Sequence, residues 1–366
     1  MKKKPGTRKL DRRSFLRNSV AGGLGAPLLF MGTGSYVNAR TSQNVLSGSE
    51  GIRPVPAGSN PGSADKKFRG MFPIMQTPFT EDDEIDHDVL RKEVNFIIAA
   101  EAGGMAWPQL GSEFYVLSDK ERMTAAEVIV SEAGGRLPVI IGVQSTNYWK
   151  ISLEFARHAE SIGADGIISL PPYTSNASVE KAFQYFSTLA ETVDLPVFIQ
   201  NSGGRYGPSM PIGKAVELGR KHPHVFYIKE ESAPVTHRIG AMAEQGSEVF
   251  NGVFSGADGT TLLNELRRGC VGSMTGAGFV DIYSKIFHSF NDGEHKKAQE
   301  MFDKLMSFQL FKSKAGWLPT EKAVLKERGI FKNTRSRVAP YVSQWDDVDR
   351  EEFHVLFEGL RPYFKV

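Results

Sequence analysis

A lysine at the end of an apolar run is the residue of this sequence best suited to covalent chemistry. The run covers residues 225–229, and its last residue is Lys229. Apolar surroundings disfavour the ammonium form of a lysine and favour the neutral amine, which is a nucleophile. Such an amine forms a Schiff base with a keto acid, and the iminium draws electrons from the adjacent carbon–carbon bond. A lysine that extends its charged end into water would fit the same position, so position alone leaves both interpretations open.

Groups suited to bind a carboxylate follow other apolar runs. Arg205 lies in a Gly-rich loop, and an arginine can hold a carboxylate through two parallel hydrogen bonds. Gly111, Ser112 and Glu113 form a short segment whose backbone amides and hydroxyl could hold the same group. A structural ion pair or a simple turn would explain these residues as well. Tyr173 follows a further run. It could be an active-site phenol or an aromatic side chain that packs in the core.

The histidine and cysteine residues do not indicate a metal site. His222 and His224 precede the Lys229 run, and no cluster of acids or cysteines accompanies them. If this run is a strand of a barrel, they lie at its amino end, whereas catalytic residues lie at the carboxyl end. Cys270 is the only cysteine, which excludes an intramolecular disulfide. Its apolar neighbours favour a small buried residue over a nucleophile. The sequence therefore predicts no metal.

The elements that must position these residues follow from an alternation of apolar runs and amphipathic stretches. The apolar runs cover residues 71–77, 104–110, 138–143, 166–170, 196–200, 225–229, 249–254 and 272–275. Amphipathic stretches between them cover residues 88–100, 119–132, 149–162, 179–192, 212–221 and 260–268. Strands that alternate with helices pair in parallel, and eight units over roughly 210 residues predict a closed (β/α)8 TIM barrel. No Gly-rich dinucleotide fingerprint follows the first run, which argues against an open Rossmann sheet.

Helical patterns continue beyond the eighth unit. They cover residues 294–311, 319–328 and 348–360. These stretches predict a C-terminal helical extension that covers one side of the barrel or builds a subunit interface, so we assign residues 67–366 to the barrel and its extension. Active sites of such barrels lie at the carboxyl ends of the strands, which is the end where Lys229 stands.

The first 66 residues indicate an export signal and a linker. Arg12 and Arg13 lie in a basic start, and a weakly apolar run rich in Gly and Ala covers residues 20–34. A twin arginine is typical of the pathway that exports folded proteins, so we predict a signal peptide over residues 1–39 and a periplasmic or extracytoplasmic location. Retention by an uncut signal is the alternative, although the run is too short and too Gly-rich for a good spanning helix. Residues 40–66 are rich in Ser, Gly, Pro and Asn, which predicts a flexible linker.

The charge of the chain is unevenly distributed. The formal net charge is +2. Residues 1–39 hold eight basic residues and one acid, which is +7, so the remainder carries 2 − 7 = −5. A mildly acidic body gives no electrostatic reason to expect nucleic acid as a partner. With 40% hydrophobic and 23% charged residues, the composition is that of an ordinary soluble globular protein with room for a large core.

Several motifs match one known family in order and spacing. They are Thr77-Pro78-Phe79, Glu113 followed by the Leu-Ser-Asp-Lys-Glu-Arg of residues 117–122, Ala159-Glu160 with Gly163-Ala164-Asp165-Gly166, Pro171-Pro172-Tyr173, Ile228-Lys229-Glu230, and Gly269-Cys270-Val271-Gly272-Ser273. From about residue 68 to residue 363 the sequence resembles the dihydrodipicolinate synthase / N-acetylneuraminate lyase family. The resemblance implies pyruvate-dependent class I aldolase chemistry, with Lys229 as the Schiff-base lysine and pyruvate or a related 2-keto acid as the first substrate. It also implies a homo-oligomer, either a dimer or a tetramer, and no metal or organic cofactor, because the lysine itself supplies the electron sink.

The sequence departs from the family at the groups that move protons. The family usually has a Tyr-Asn pair at the end of the fifth strand, and this sequence has Gln200 and Asn201. A glutamine has no titratable proton and cannot take the acid–base role of the tyrosine. Leu110 stands where the lysine-pathway synthases have a relay threonine, and Thr174 stands where they have a second tyrosine. Arg205, by contrast, matches their carboxylate-binding arginine in its spacing from Asn201.

These observations give a predicted site and three functional hypotheses. The predicted catalytic residues are Lys229, Gln200 and Tyr173, and the predicted substrate-binding residues are Gly111, Ser112, Glu113, Asn201, Arg205 and Gly272. The first hypothesis is a divergent aldolase or lyase that cleaves or forms a carbon–carbon bond of a 2-keto acid, for example a keto-deoxy sugar acid, with Tyr173, Tyr206, Ser112 or an ordered water moving the proton.

The two alternatives differ in what they require of the site. A 4-hydroxy-tetrahydrodipicolinate synthase would need the proton relay whose residues are changed in this sequence. Such a synthase is also normally cytosolic, so the export signal argues against it as well. A catalytically inactive barrel that binds a keto acid or sugar acid fits Gln200, but such a protein has no need of the buried amine of Lys229.

Overall fold

Eight short parallel strands form the centre of the protein in a computed structural model, which describes residues 68–145, 149–172, 177–204, 206–223, 225–338 and 345–366. The strands are β1 Gly70–Met71, β2 Met105–Trp107, β3 Val139–Gly142, β4 Gly166–Ser169, β5 Val197–Asn201, β6 Phe226–Glu230, β7 Gly252–Ser255 and β8 Gly272–Ser273. They pair in the order β1-β8-β7-β6-β5-β4-β3-β2. Ile74 bridges to both Ala106 and Gly276 and so closes the circle between the first and second units. The predicted (β/α)8 barrel is therefore confirmed.

The helices lie outside the strands and then continue into the extension. They are α1 His87–Ala99, α2 Asp119–Ala133, α3 Trp149–Ser161, α4 Val179–Thr192, α5 Ile212–Lys221, α6 Val235–Gln245, α7 Leu262–Arg267, α8 Val280–Asn291, α9 His295–Ala315, α10 Trp317–Glu327 and α11 Asp347–Leu360. The amphipathic stretches of the sequence predicted neither α6 nor α8. Helices α9–α11 form the predicted C-terminal extension. Among the helices of the described ranges, none is both long and apolar enough to cross a membrane.

Local sequence signals set where several helices begin. The Asp86 carboxylate accepts a hydrogen bond from the backbone amide of Val89 at 3.1 Å and caps α1. Ser118 and Glu121 form a reciprocal capping box at the start of α2. Each cap satisfies amide groups that have no partner within the helix. The caps thereby fix where the chain leaves each loop at the carboxyl end of the barrel.

The barrel interior is filled by one side chain from each strand unit. This inner layer consists of Ile74, Ala106, Ile140, Ile168, Phe198, Tyr227, Phe254 and Met274, and Phe68 and Phe72 pack beside it. The rings of Phe198 and Tyr227 stack with their centroids 4.6 Å apart. A separate and larger apolar cluster lies between the strands and the helices. The interior is thus a packed core, and any ligand must bind beyond this layer, at the carboxyl ends of the strands.

Helix α10 joins the extension to the barrel through buried charges. Lys312, on α9, lies 2.5 Å from Asp258 Oδ2 and 2.5 Å from Glu321 Oε1. The ammonium of Lys322 pairs with the carboxylate of Glu113, and neither side chain has any exposed surface. Because the loops that follow β2 and β7 supply Glu113 and Asp258, the extension covers this side of the barrel.

The Glu113–Lys322 pair has no solvent to replace a lost partner. Glu113 Oε2 also accepts hydrogen bonds from Ser336 Oγ at 2.6 Å and from the backbone amide of Arg337 at 3.0 Å. Burial lowers the pKa of the Lys322 ammonium, and the Glu113 carboxylate acts against this effect. A change that neutralises Glu113 would leave a buried cation without its counter-ion.

We therefore expect Glu113→Gln to lower the free energy of unfolding by about 3–5 kcal/mol, the range typical of a broken buried ion pair. Urea denaturation followed by circular dichroism measures this. The matched control is Glu300→Gln, which removes an exposed carboxylate 4.0 Å from Lys296 and should leave the urea midpoint unchanged. Equal midpoints for the two variants would show that the buried pair does not hold the extension to the barrel.

Candidate active site

Lys229 and Gln200 lie side by side at the carboxyl end of the barrel. Side chains of a strand alternate between its two faces, so Lys229, two residues after Tyr227, points inward, as does Gln200, two residues after Phe198. The two residues are register partners in β6 and β5. Lys229 is 4% exposed and Gln200 is 1% exposed. The structure thus brings together two of the three predicted catalytic residues, directly above the inner layer.

Glu231 completes this group, although it was not among the residues predicted from the sequence. Its Oε1 atom lies 2.9 Å from Lys229 Nζ and accepts a hydrogen bond from Gln200 Nε2 at 2.9 Å. The signal for it was the spacing: a residue two positions after Lys229 stays on the same face if the strand conformation continues. The sequence predicted apolar surroundings for the amine. In the structure a carboxylate lies beside it.

Two acceptor atoms of this group are open to a ligand. Gln200 Oε1 is buried and has no hydrogen-bond partner within the described part of the chain. The side chain of Glu231 is 20% exposed, and its Oε2 atom has no bonded group among the residues that the structure describes. A buried amide oxygen without a partner is costly. Hydroxyl groups of a bound molecule would satisfy both atoms.

A glycine at the end of the neighbouring strand, one residue beyond β7, makes room for the carboxylate. Gly256 directly follows β7, and its backbone amide donates to the carbonyl oxygen of Glu230 at 3.0 Å. A Cβ atom at this position would overlap the Glu231 side chain and lie 2.5 Å from its Oε1 atom. Gly256 is therefore a positioning residue for Glu231.

Asn201 belongs to a hydrogen-bonded cluster on the outward face of the ends of β5 and β6. Its Nδ2 atom donates to Glu230 Oε2 at 2.8 Å, and its Oδ1 atom accepts from the backbone amide of Met210 at 2.9 Å. Arg238 Nη2 lies 3.1 Å from the same Glu230 oxygen. Since Gln200 points inward, its neighbour Asn201 must point outward. In this structure the Asn201 side chain holds the loop after β5, and its contact with substrate stays a prediction.

The predicted binding segment after β2 is also used by the fold. Ser112 Oγ donates to the carbonyl oxygen of Met75 at 2.5 Å and accepts from the backbone amide of Gln109 at 3.0 Å. A Cβ atom on Gly111 would overlap the Trp317 ring, so this glycine allows α10 to pack. Glu113 binds the extension. These contacts account for all three residues without a substrate.

Of the remaining predicted residues, Gly272 lies where β8 pairs with β1, and two others lie outside the described residues. A Cβ atom on Gly272 would overlap the carbonyl oxygen of Gly70 and lie 2.6 Å from the Phe254 ring. Gly272 is therefore required for the close approach of β8 to β1, and its contact with substrate stays a prediction. Tyr173 and Arg205 lie outside the residues that the structure describes, so their roles stay predictions.

Cys270 is buried, as the sequence predicted. It is 5% exposed, and its Sγ atom donates to the carbonyl oxygen of Gly272 at 2.8 Å. Burial raises the pKa of this thiol to about 12. A thiol in this state is not a nucleophile near neutral pH.

Comparison with known proteins identifies the family. A family model described as the dihydrodipicolinate synthetase family matches residues 67–358. The sequence is 25% identical over 280 residues to an L-2-keto-3-deoxyarabonate dehydratase of Azospirillum brasilense, which covers 75% of this chain and 89% of that protein. It is 30% identical over 267 residues to a 4-hydroxy-tetrahydrodipicolinate synthase of Rhizobium meliloti, covering 72% of this chain and 85% of that protein.

Solved structures agree on the fold. The 4-hydroxy-tetrahydrodipicolinate synthase of Methylacidiphilum fumariolicum SolV superposes with a TM-score of 0.73 at 21% identity, covering 81% of this chain and 97% of that one. A prophage protein of the dihydrodipicolinic acid synthase family from E. coli K12, solved in complex with pyruvate, gives 0.72 at 23% identity and covers 81% and 98%. With the family model spanning the whole barrel, the chain belongs to the dihydrodipicolinate synthetase family, as a carbon–carbon lyase of the class I aldolase type.

Proposed function

We propose that this protein cleaves a 2-keto-3-deoxy sugar acid to pyruvate and an aldehyde through a Schiff base on Lys229. The observation that carries the proposal is the position of Lys229 Nζ, which is buried above the inner layer and lies 2.9 Å from a carboxylate oxygen. Pairing with a carboxylate keeps the amine oriented and gives its proton an acceptor. The inward position at a strand end is where barrels place catalytic groups.

The chemistry requires only the lysine as an electron sink. The amine attacks the C2 carbonyl carbon of the keto acid, and water leaves as the iminium forms. The iminium then accepts the electron pair of the C3–C4 bond as that bond breaks, which leaves an enamine and releases an aldehyde. Protonation at C3 and hydrolysis release pyruvate and restore the amine.

The polar groups beside Lys229 favour a substrate that carries hydroxyl groups. Gln200 Oε1 and Glu231 Oε2 are acceptors without partners in the described residues, and each would accept a hydrogen bond from an alcohol. Gln200 also replaces the tyrosine that the resemblance leads one to expect, which argues against the synthase reaction. Both features support a polyhydroxylated keto acid.

Dehydration of the same class of substrate is the second candidate. The relative from Azospirillum brasilense is named an L-2-keto-3-deoxyarabonate dehydratase. Both reactions begin with the same iminium. In dehydration the C4 hydroxyl leaves as water and the carbon chain stays whole, so the products distinguish the two reactions.

We expect sodium borohydride to trap pyruvate on Lys229. Incubation with pyruvate and borohydride should add one reduced pyruvyl group, which intact mass and a peptide map would locate. Lys229→Ala should give no adduct and should lower turnover of keto-deoxy sugar acids by on the order of 10⁴-fold or more. Lys296→Ala, at a lysine whose side chain is 93% exposed, is the matched control and should behave as wild type.

The products and the adduct together decide among the hypotheses. Pyruvate with an aldehyde indicates the lyase, and a keto acid of unchanged chain length indicates the dehydratase. Condensation of pyruvate with aspartate semialdehyde would indicate the synthase. If a panel of 2-keto acids binds but leaves Lys229 unmodified, the aldolase proposal fails and the binding protein replaces it.

We further propose that the protein is exported by the twin-arginine pathway and acts in the periplasm as a homo-oligomer. The support for export is the sequence of residues 1–39 alone, and these residues lie outside the described part of the chain, as does the linker at residues 40–66. The support for a dimer or tetramer is the resemblance to the family.

Replacement of the twin arginine should stop export. We expect the wild-type chain to appear in the periplasmic fraction without its first 39 residues, whereas Arg12→Lys combined with Arg13→Lys should remain uncut in the cytoplasm. Arg17→Lys, outside the pair, is the matched control and should be exported. Normal export of the double variant would contradict the proposal that the twin-arginine pathway exports this protein.

Light scattering on the mature protein would test whether it is a dimer or a tetramer.

A further inference from the structure

We propose that Glu231 is the acid–base catalyst of this site and performs the proton transfers for which Gln200 has no titratable group. This inference rests on the Schiff-base chemistry proposed above. Glu231 lies 2.9 Å from the reacting nitrogen of Lys229, which is within the range required for direct proton transfer.

The two carboxylate oxygens of Glu231 have different surroundings. Oε1 is held between Lys229 Nζ and Gln200 Nε2, at 2.9 Å from each. Oε2 has no partner among the described residues, and the side chain is 20% exposed. One oxygen therefore fixes the orientation of the group, while the other can reach a substrate bound to the lysine.

The first proton transfers make the iminium. Lys229 gives a proton to Glu231, and the neutral amine forms a bond to C2 of the keto acid. Glu231 returns that proton to the former carbonyl oxygen and passes on a second proton from the nitrogen, so the oxygen leaves as water. The ammonium and the ketone have then become an iminium and water, and Glu231 is again a carboxylate.

The cleavage step uses the same carboxylate as a base and then as an acid. Glu231 takes the proton of the C4 hydroxyl, the C4–O electrons form the aldehyde carbonyl, and the C3–C4 electron pair moves into the enamine. The protonated Glu231 then gives its proton to C3. Water adds to C2, the C2–N bond breaks, and pyruvate leaves with Lys229 as an ammonium.

Gln200 and Gly256 act through Glu231 and are positioning residues. Gln200 Nε2 holds the Oε1 atom, and its buried Oε1 atom is available to a substrate hydroxyl. Gly256 lacks the Cβ atom that would displace the carboxylate. The glutamine thereby keeps a place in the site although it cannot transfer a proton.

Exchange of the pyruvate methyl protons in deuterated water tests this role without knowledge of the full substrate. Each cycle of enamine formation and reprotonation at C3 replaces one proton by deuterium, and proton NMR follows the loss. We expect wild-type protein and the surface variant Glu300→Gln to exchange pyruvate at equal rates. Glu231→Gln should still accumulate the borohydride adduct on Lys229 during long incubation, although more slowly, and its exchange should be slower by about 10²–10⁴-fold, the usual contribution of a general acid–base group.

A pair of glycine variants moves the carboxylate without removing it. Gly256→Ala should displace Glu231 and slow exchange while the adduct still forms. Gly213→Ala, on α5, is the matched control, since a Cβ atom there would meet no atom within 4 Å, and it should exchange at the wild-type rate. This pair keeps the test decisive if Glu231→Gln fails to fold, which circular dichroism would reveal.

The failure of this inference differs from the failure of the proposed function. Exchange at the wild-type rate in folded Glu231→Gln or in Gly256→Ala, with a normal adduct, would overturn the role of Glu231 and leave the Schiff base intact. If the wild-type protein forms no adduct and exchanges no protons with any 2-keto acid, the proposed function itself is wrong.

Discussion

The buried amine of Lys229 imposes the constraint on which the site depends. A cation that is 4% exposed is costly unless a partner compensates for the loss of water. Glu231, one residue beyond β6 and two residues after the lysine, is that partner. The carboxylate can take this position only because Gly256 has no side chain and because Gln200 donates to it from β5. Three neighbouring strand ends thus cooperate to hold one charge pair above an apolar layer.

Buried polar groups at the barrel mouth differ in how fully they are bonded. On the side that the extension covers, Asp258, Lys312 and Glu321 satisfy one another, and Glu113 is bonded through both its oxygens. Other buried acceptors have no partner among the described residues: Gln200 Oε1 at the end of β5, and Gln76 Oε1 and Gln109 Oε1 after β1 and β2. A fully bonded buried group stabilises the fold, whereas an open one is available to a ligand. Among these open acceptors, Gln200 Oε1 belongs to the residue that is the register partner of Lys229.

The sequence predicted the fold and the position of Lys229 because both depend on local periodicity. Eight apolar runs with amphipathic stretches between them specify the barrel, and a lysine that ends such a run must reach the mouth. Ser112, Glu113 and Asn201 were assigned to substrate because position alone does not show what a side chain bonds. The decisive partner of Glu113 is Lys322, which is 209 residues away along the chain. Glu231 was missed because it lies one residue beyond β6, where strand periodicity is no longer certain.

The replacement of a phenol by an amide at Gln200 need not remove proton transfer from this site. An amide cannot titrate, but it donates a hydrogen bond that a carboxylate can accept, and here it does so to the oxygen that also contacts the amine. A carboxylate is also the better base near neutral pH, because a phenol is protonated there. A family member with Gln200 therefore requires an acid nearby, on the same face and within reach of the lysine nitrogen. Glu231 meets each of these conditions, so the change at Gln200 and the presence of Glu231 are two parts of one arrangement.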